Sequence, residues 1–241
     1  CMFDYNAHKV FGSGDRICYH GVMDMFRNPK LAASVYACEQ DEIPVLQITS
    51  SMDIGEHPGC NRGNLYILSN ADSVRMYKND RFIKEYRPEM SPYKHLKHGP
   101  ILIDDFIGDA LEKNERFRPK HAKEMADAMN IVARGSLNHI PKRLYPTALK
   151  LALLYHIDFA EVTKLYTKYI GDWGGTATVY RFDAIKNDKV IKSVTKEPVN
   201  GIRLQAEADH TNLTEHHSYD VALVRIRAVD AHGNVLPFYQ E

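Results

Sequence analysis

The sequence is short of the signals that assign a function at once. Its four cysteines, Cys1, Cys18, Cys38 and Cys60, lie in the first quarter of 241 residues, with no CxxC pair and no zinc-finger spacing. They read as free thiols of a reducing compartment, the cytoplasm, and no metal or cofactor is called for. No run approaches the roughly 18 apolar residues of a membrane helix, so no membrane partner is expected. Neither sign of charge is in excess: 31 basic residues cancel 31 acidic ones and the pI is near 7.3. Without a long-range field to draw nucleic acid or an anionic surface, a neutral partner such as a sugar fits better.

What is present is an ordinary globular composition, 44% hydrophobic and 26% charged, in a chain long enough for one large domain or two small ones. The chain opens on Cys1-Met2-Phe3-Asp4-Tyr5, strand-like from its first residue, with no initiator methionine and no leader. That start leads to the expectation of a piece of a larger protein. Aromatics flanking a carboxylate, followed by a polar, Gly-rich stretch over 6–14, resemble a barrel strand running into an active-site loop. The rim of a site is expected here, with most of its chemistry upstream.

Periodicity divides the rest. Asn28 and Pro29 suit the cap and first position of a helix in which Leu31, Ala32, Val35 and Tyr36 share a face. From Glu42 the period changes to two, at 45–50, Leu65 to Ser69 and Val74 to Tyr77, as in a β-sandwich. Asn79-Asp80 and Asn187-Asp188 read as hairpin turns, because Asn and Asp tolerate positive φ. Between the β regions the spacing is helical: Ala122, Met125, Ala126, Met129 and Val132; then Leu149, Ala152, Leu153 and His156; then Phe159, Val162, Leu165, Tyr166 and Tyr169. An insertion at about 104–172 is expected, because a long excursion between strands costs little loop entropy. Leu65 to Tyr86 supplies too few strands to close two sheets, so 45–100 and 176–200 are expected to join across it. Strong alternation at 202–207 and 220–228 then suggests strands of a further, incomplete sandwich.

Several side-chain groups carry chemistry, and each has a bland reading. Phe3 can stack on the apolar face of a sugar while Asp4 accepts hydroxyl hydrogen bonds or orients its neighbours; the alternative is a buried strand with one capped aspartate. Asn6, His8, Asp15, Arg16 and His20 make the following loop richer in hydrogen-bonding groups than a connection needs, which favours a rim. His95 and His98 have no third ligand at metal-site spacing, and His216-His217 reads as exposed. Asp104-Asp105 reads as the cap of the following helix, and the tyrosines 155, 166 and 169 with Trp173 as core rather than a sugar platform.

The segments Met2-Phe3-Asp4-Tyr5, Gly14-Asp15-Arg16 and Gly21 to Lys30 resemble glycoside hydrolase family 2 β-galactosidases, where the last strand and helix of the catalytic TIM barrel pass into immunoglobulin-like domains. FRNPKLAASVYA is similar to the last barrel helix, LSNADSVRMYKNDRFIKEY to the sandwich after it, and the stretch from Leu204 to Pro237 to the opening of the next. The helical insertion departs from the better-known members. The resemblance implies a mainly β chain with a helical insertion (α+β), its immunoglobulin-like β-sandwiches following a TIM-barrel remnant. It assigns 1–40 to the barrel, 41–200 to a sandwich with the insertion at about 104–172, and 201–241 to a second, incomplete sandwich.

Function is implied in the same way. The parent is expected to hydrolyse terminal β-galactosides with retention, on two glutamates upstream of this chain, so that the chain carries no catalytic residue and is inactive alone. Phe3, Asp4 and His20 are the implied substrate-binding residues, His20 standing where relatives place a polar group at the galactose pocket. A β-galactoside is the implied partner, and a homo-oligomer remains open. The rival readings are a non-catalytic carbohydrate-binding module, marked by an exposed coplanar aromatic pair, and a structural or oligomerisation domain, marked by a broad apolar patch beside 1–40. Cut from a barrel, Met2 to Tyr5 is expected to lose its ladder partners and either to become mobile or to find a substitute partner, an edge on a second copy above all.

Overall fold

The computed structural model describes residues 1–6, 16–53, 56–57, 61–135, 141–155, 158–172, 177–236 and 239. The architecture is mainly β, in several antiparallel sheets, with a helical region between strands. One sheet has the order β3 (Leu46–Ile48), β4 (Tyr66–Ser69), β7 (Ile101–Leu102). The other runs β6 (Arg81–Tyr86), β5 (Ser73–Lys78), β8 (Tyr180–Lys186), β9 (Lys189–Lys196). β5 pairs with β8 from Ser73↔Ile185 to Lys78↔Tyr180, so strands a hundred residues apart complete one sheet, as the shortage of local strands requires. Leu46, Ile48 and Ile67 of the first sheet share a core with Val74, Met76, Tyr180, Phe182 and Ala184 of the second. Asn79, Asp80, Asn187 and Asp188 all have φ between 48 and 60°, the left-handed region that two-residue hairpins impose.

Among the described residues four α-helices, α2 (Ala110–Glu115), α3 (Pro119–Arg134), α4 (Tyr145–Tyr155) and α5 (Phe159–Tyr166), lie between β7 and β8. α3 begins with Pro119 at its first position and buries Ala122, Met125, Ala126 and Met129 in the core of the sheets. Asn130 fixes its depth, accepting from the Phe106 amide and donating to Asp105 Oδ1 at 2.9 Å. Three expectations fail. Leu149 and Leu153 of α4 are 60% and 63% exposed, so that apolar stripe does not reach the core; His156 lies outside the described residues. Asp104 and Asp105 do not cap α2, whose N-cap is Asp109: Asp104 pairs with Lys84, and Asp105 accepts from the Ile107 and Gly108 amides in the turn before it. The earlier helix, α1 (Leu31–Ala37), starts after Lys30, because Asn28 is held by Asp24 and Pro29 sits in a bridge with Met23.

The helices are tied to the sheets through one buried carboxylate. After α5 the chain widens into π-helical turns over Thr167–Gly171, and Asp172 ends them in the left-handed conformation with φ 54°. Its Oδ1 accepts from Lys78 Nζ at 2.6 Å, and its Oδ2 from Tyr180 Oη at 3.1 Å and from the Arg62 guanidinium. Arg62 also donates to the carbonyls of Ile170 and Met52, and Lys78 to that of Tyr169. The side chains of Arg62 and Asp172 are both 4% exposed. Burial pulls the Lys78 ammonium below its ordinary value despite the carboxylate beside it, and pushes the Tyr180 phenol far up.

The last described sheet is a lone pair, β10 (Arg203–Ala208) with β11 (Val224–Val229). Its register puts Leu204, Ala206, Ala208, Val224, Ile226 and Ala228 on one face, since residues directly opposite in an antiparallel pair point the same way. Leu204 and Ile226 are 69% and 67% exposed there.

Replacing Asp172 with Ala strands two buried cations, so urea unfolding of this variant is expected to show a loss of about 3–5 kcal/mol. A loss within about 0.5 kcal/mol, as for surface substitutions, would deny the carboxylate its role. Glu115 offers a pH test. Lys168 and Tyr169 donate to its Oε1 at 2.7 and 2.6 Å and hold its carboxyl below the usual 4.5. A depressed carboxylate stabilises fully above its unfolded value and loses that contribution as pH falls through the folded one. Stability is therefore expected to decline more gently below pH 4.5 in Glu115→Gln than in the parent chain; identical acid limbs would contradict this.

Candidate functional site

The three residues singled out from the sequence come together in a small unit formed by residues 1–6 and 16–30. Phe3 bridges Met23 in parallel; the Asp4 amide donates to the Met23 carbonyl at 3.0 Å and the Met23 amide to that of Met2 at 2.9 Å. Beyond it, β1 (Tyr5–Asn6) pairs antiparallel with β2 (Ile17–Cys18). The opening segment thus finds its partner within its own chain, and the expectation of an edge on a second copy is corrected. The parallel approach is tight at Gly21, where any Cβ would fall 2.3 Å from the Asp4 nitrogen, so only glycine fits.

Asp4 is buried, and its Oδ1 accepts from the Gly21 amide at 2.8 Å and from Lys30 Nζ at 2.7 Å. Lys30 also donates to the Tyr19 carbonyl and lies 5.9 Å over the Tyr19 ring. Asp4 therefore orients its neighbours, fixing the His20-Gly21 corner against the opening strand. One face of Phe3 is covered by the Arg27 guanidinium, 3.4 Å from the ring centre. Arg27 takes a φ of 67° in a loop that Asp24 gathers, accepting from the Phe26 and Asn28 amides and the Asn28 side chain. Burial alone would raise the Asp24 carboxyl, but these donors win and lower it. His20 is exposed, with Nδ1 3.2 Å from Cys18 Sγ. His8 and Asp15 lie outside the described residues.

Sequence reasoning missed Lys30, Arg27 and Tyr19. A buried carboxylate demands a cation, but no spacing tells which of 31 basic residues answers it. Both carboxylates of the unit, Asp4 and Asp24, are occupied by internal donors, so the unit can position and contact a ligand but offers no acid/base pair. Among the described residues no group of three His, Cys, Asp or Glu is placed to hold a metal. A second concavity of about 1040 Å³ opens between α5, α2 and the β5–β6 hairpin, with the buried Phe106 and Ile107 behind its wall and Lys164 and Lys168 among its lining.

No family profile matches the chain. Over 107 residues it is 45% identical to a β-galactosidase of Thermoanaerobacterium thermosulfurigenes, covering 43% of this chain and 15% of that protein. Over 104 residues it is 42% identical to a β-galactosidase of Thermoanaerobacter pseudethanolicus, covering 42% of this chain and 14% of that protein. A solved β-glycosidase from Bacteroides vulgatus superposes with a TM-score of 0.51 over 98% of this chain and 20% of that one; at 12% identity this shows a shared fold alone. The chain thus spans about a seventh of the length of the curated relatives it matches. Over less than half of its length the chain is similar in sequence to β-galactosidases, and its fold matches part of a β-glycosidase.

Replacing Lys30 with Met leaves Asp4 charged and buried on a single amide donor. Lys30 is itself one-third exposed, so the loss is expected to be about 1–3 kcal/mol and local. It should appear as faster hydrogen exchange at the amides of Asp4 and Met23 with protection in β5 and β8 retained. Unchanged exchange at Asp4 and Met23 would show that the pair does not hold the corner.

Proposed function

We propose that this chain is the C-terminal portion of a retaining glycoside hydrolase acting on terminal β-galactosides. The observation that carries the reading is the 45% identity to a β-galactosidase. The geometry supports it: Phe3↔Met23 is the one parallel pairing among the described residues, and parallel pairing is what a TIM-barrel strand leaves behind. In this reading 1–40 finishes the barrel, 41–200 is an immunoglobulin-like sandwich with a helical insertion at about 104–172, and 201–241 begins a second such domain. The bare apolar face of β10 and β11 is what a sheet awaiting its opposite layer presents.

Retaining hydrolysis uses two carboxylates about 5 Å apart, one as acid/base and one as nucleophile. Both are glutamates on barrel strands upstream of Cys1. Phe3 offers its ring to the sugar, His20 contacts a hydroxyl, and Asp4 acts on the substrate through the corner it holds. Of the rival readings, structural bracing gains from the exposure of Met2, Tyr19, Phe26 and Tyr36 beside the barrel segment, and the two roles are compatible. The aromatic contacts among the described residues are edge-to-face, so the coplanar platform of a carbohydrate-binding module finds no support. No helix among the described residues is long and apolar enough to cross a membrane. The cytoplasm and self-association remain part of the proposal.

The test is an assay of the purified chain with a chromogenic β-galactoside. No turnover is expected, because each missing carboxylate raises the barrier by several kcal/mol and about 1.4 kcal/mol is tenfold in rate. The longer protein that carries this segment should hydrolyse the substrate with retention, read from the anomer first released. Hydrolysis by the chain alone, lost on replacing an Asp or Glu within 1–241, would overturn the assignment.

A further inference from the structure

We infer that Cys18, paired with His20, is a site of covalent modification by small disulfides. β2 is only two residues long, and its register with β1 sets Tyr5 opposite Cys18. The turn toward Gly21 brings the His20 ring back, so that Nδ1 stands 3.2 Å from Sγ. The same sulfur raises the pKa of the Tyr5 phenol opposite it. Cys18 is half-buried and His20 exposed, so the thiol is held in place yet open to a small reagent. Neither glycoside hydrolysis nor the folding ties described above employs the Cys18 thiol.

A thiol becomes a nucleophile as its thiolate, and a neighbouring imidazole both accepts the proton and, once charged, stabilises the anion. In the exchange, His20 takes the Cys18 proton and the sulfur attacks one sulfur of a low-molecular-weight disulfide. A bond forms between Cys18 and that sulfur while the original disulfide bond breaks. The departing thiolate takes up the proton from His20. Cys18 is oxidised, half of the reagent is reduced, and no other reactant is needed. Cys38 provides an internal contrast: it is fully buried, and desolvation pushes its thiol up to about 12. Cys1 is exposed.

The experiment exposes the chain to limiting oxidised glutathione, quenches with acid, and locates mixed disulfides by peptide mass spectrometry. Cys18 is expected to be modified about tenfold faster than Cys1, and Cys38 to stay unmodified. In His20→Gln the rate at Cys18 should fall about tenfold with the rate at Cys1 unchanged, and continued protection of Cys38 shows that this variant is folded. In His20→Ala, added imidazole should restore part of the rate. Equal rates at Cys18 and Cys1, or a His20→Gln variant that keeps Cys38 protected and modifies Cys18 as before, would overturn the inference. These readouts are independent of any hydrolysis.

Discussion

The fold depends on Asp172. It is one carboxylate placed where a helical region of some sixty residues returns to the sheet, and it is met there by Arg62, Lys78 and the Tyr180 phenol. Arg62 comes from the loop before β4, Lys78 from the end of β5 and Tyr180 from the start of β8, so three separate approaches converge on one side chain. An isolated charge in such a place would be expelled or neutralised; here each oxygen has a donor and each cation has further carbonyl partners. The network adds geometry to a core whose apolar contacts alone do not fix the end of the π-helical turns. A carboxylate of this kind sets where the insertion sits more than it adds to net stability.

Asp4 repeats the device on a smaller scale. It is buried, joined to one lysine and one backbone amide, and it closes a short parallel contact that brings His20 beside the opening strand. The role this leaves for Asp4 is to position. Phe3, packed under Arg27, and His20, turned outward, stand on a base that Asp4 and Lys30 keep rigid. A unit built this way keeps Phe3 and His20 in a fixed orientation, which is what positioning residues contribute.

Two apolar surfaces are exposed among the described residues: the side of the first forty residues bearing Met2, Phe26 and Tyr36, and the Leu204–Ile226 face of the last sheet. Between them lies a region whose core is closed, with Ile67, Met76, Ile103 and Phe182 inaccessible to solvent.

Much of this was legible in the sequence. The period of two at 65–69 and 73–78, the helical period of 122–132, and the Asn-Asp turns all act over a few residues, where local sterics and amphipathicity decide. The aromatic-carboxylate start and the stretch to Lys30 pointed to family 2 because local motifs survive in linear order. Lys30 as the partner of Asp4, and Arg62 and Lys78 as the partners of Asp172, were not legible, since they lie 26 to 110 residues away and a charge carries no address. α4 misled for the same reason: its apolar stripe states what it can bury, while the packing of its neighbours decides whether it does. The sequence by itself determined the local elements, the family resemblance and the balance of charge. Only the tertiary structure decided which distant groups meet, because ion pairing and burial depend on where chain ends are brought by a core that forms cooperatively across the whole fold.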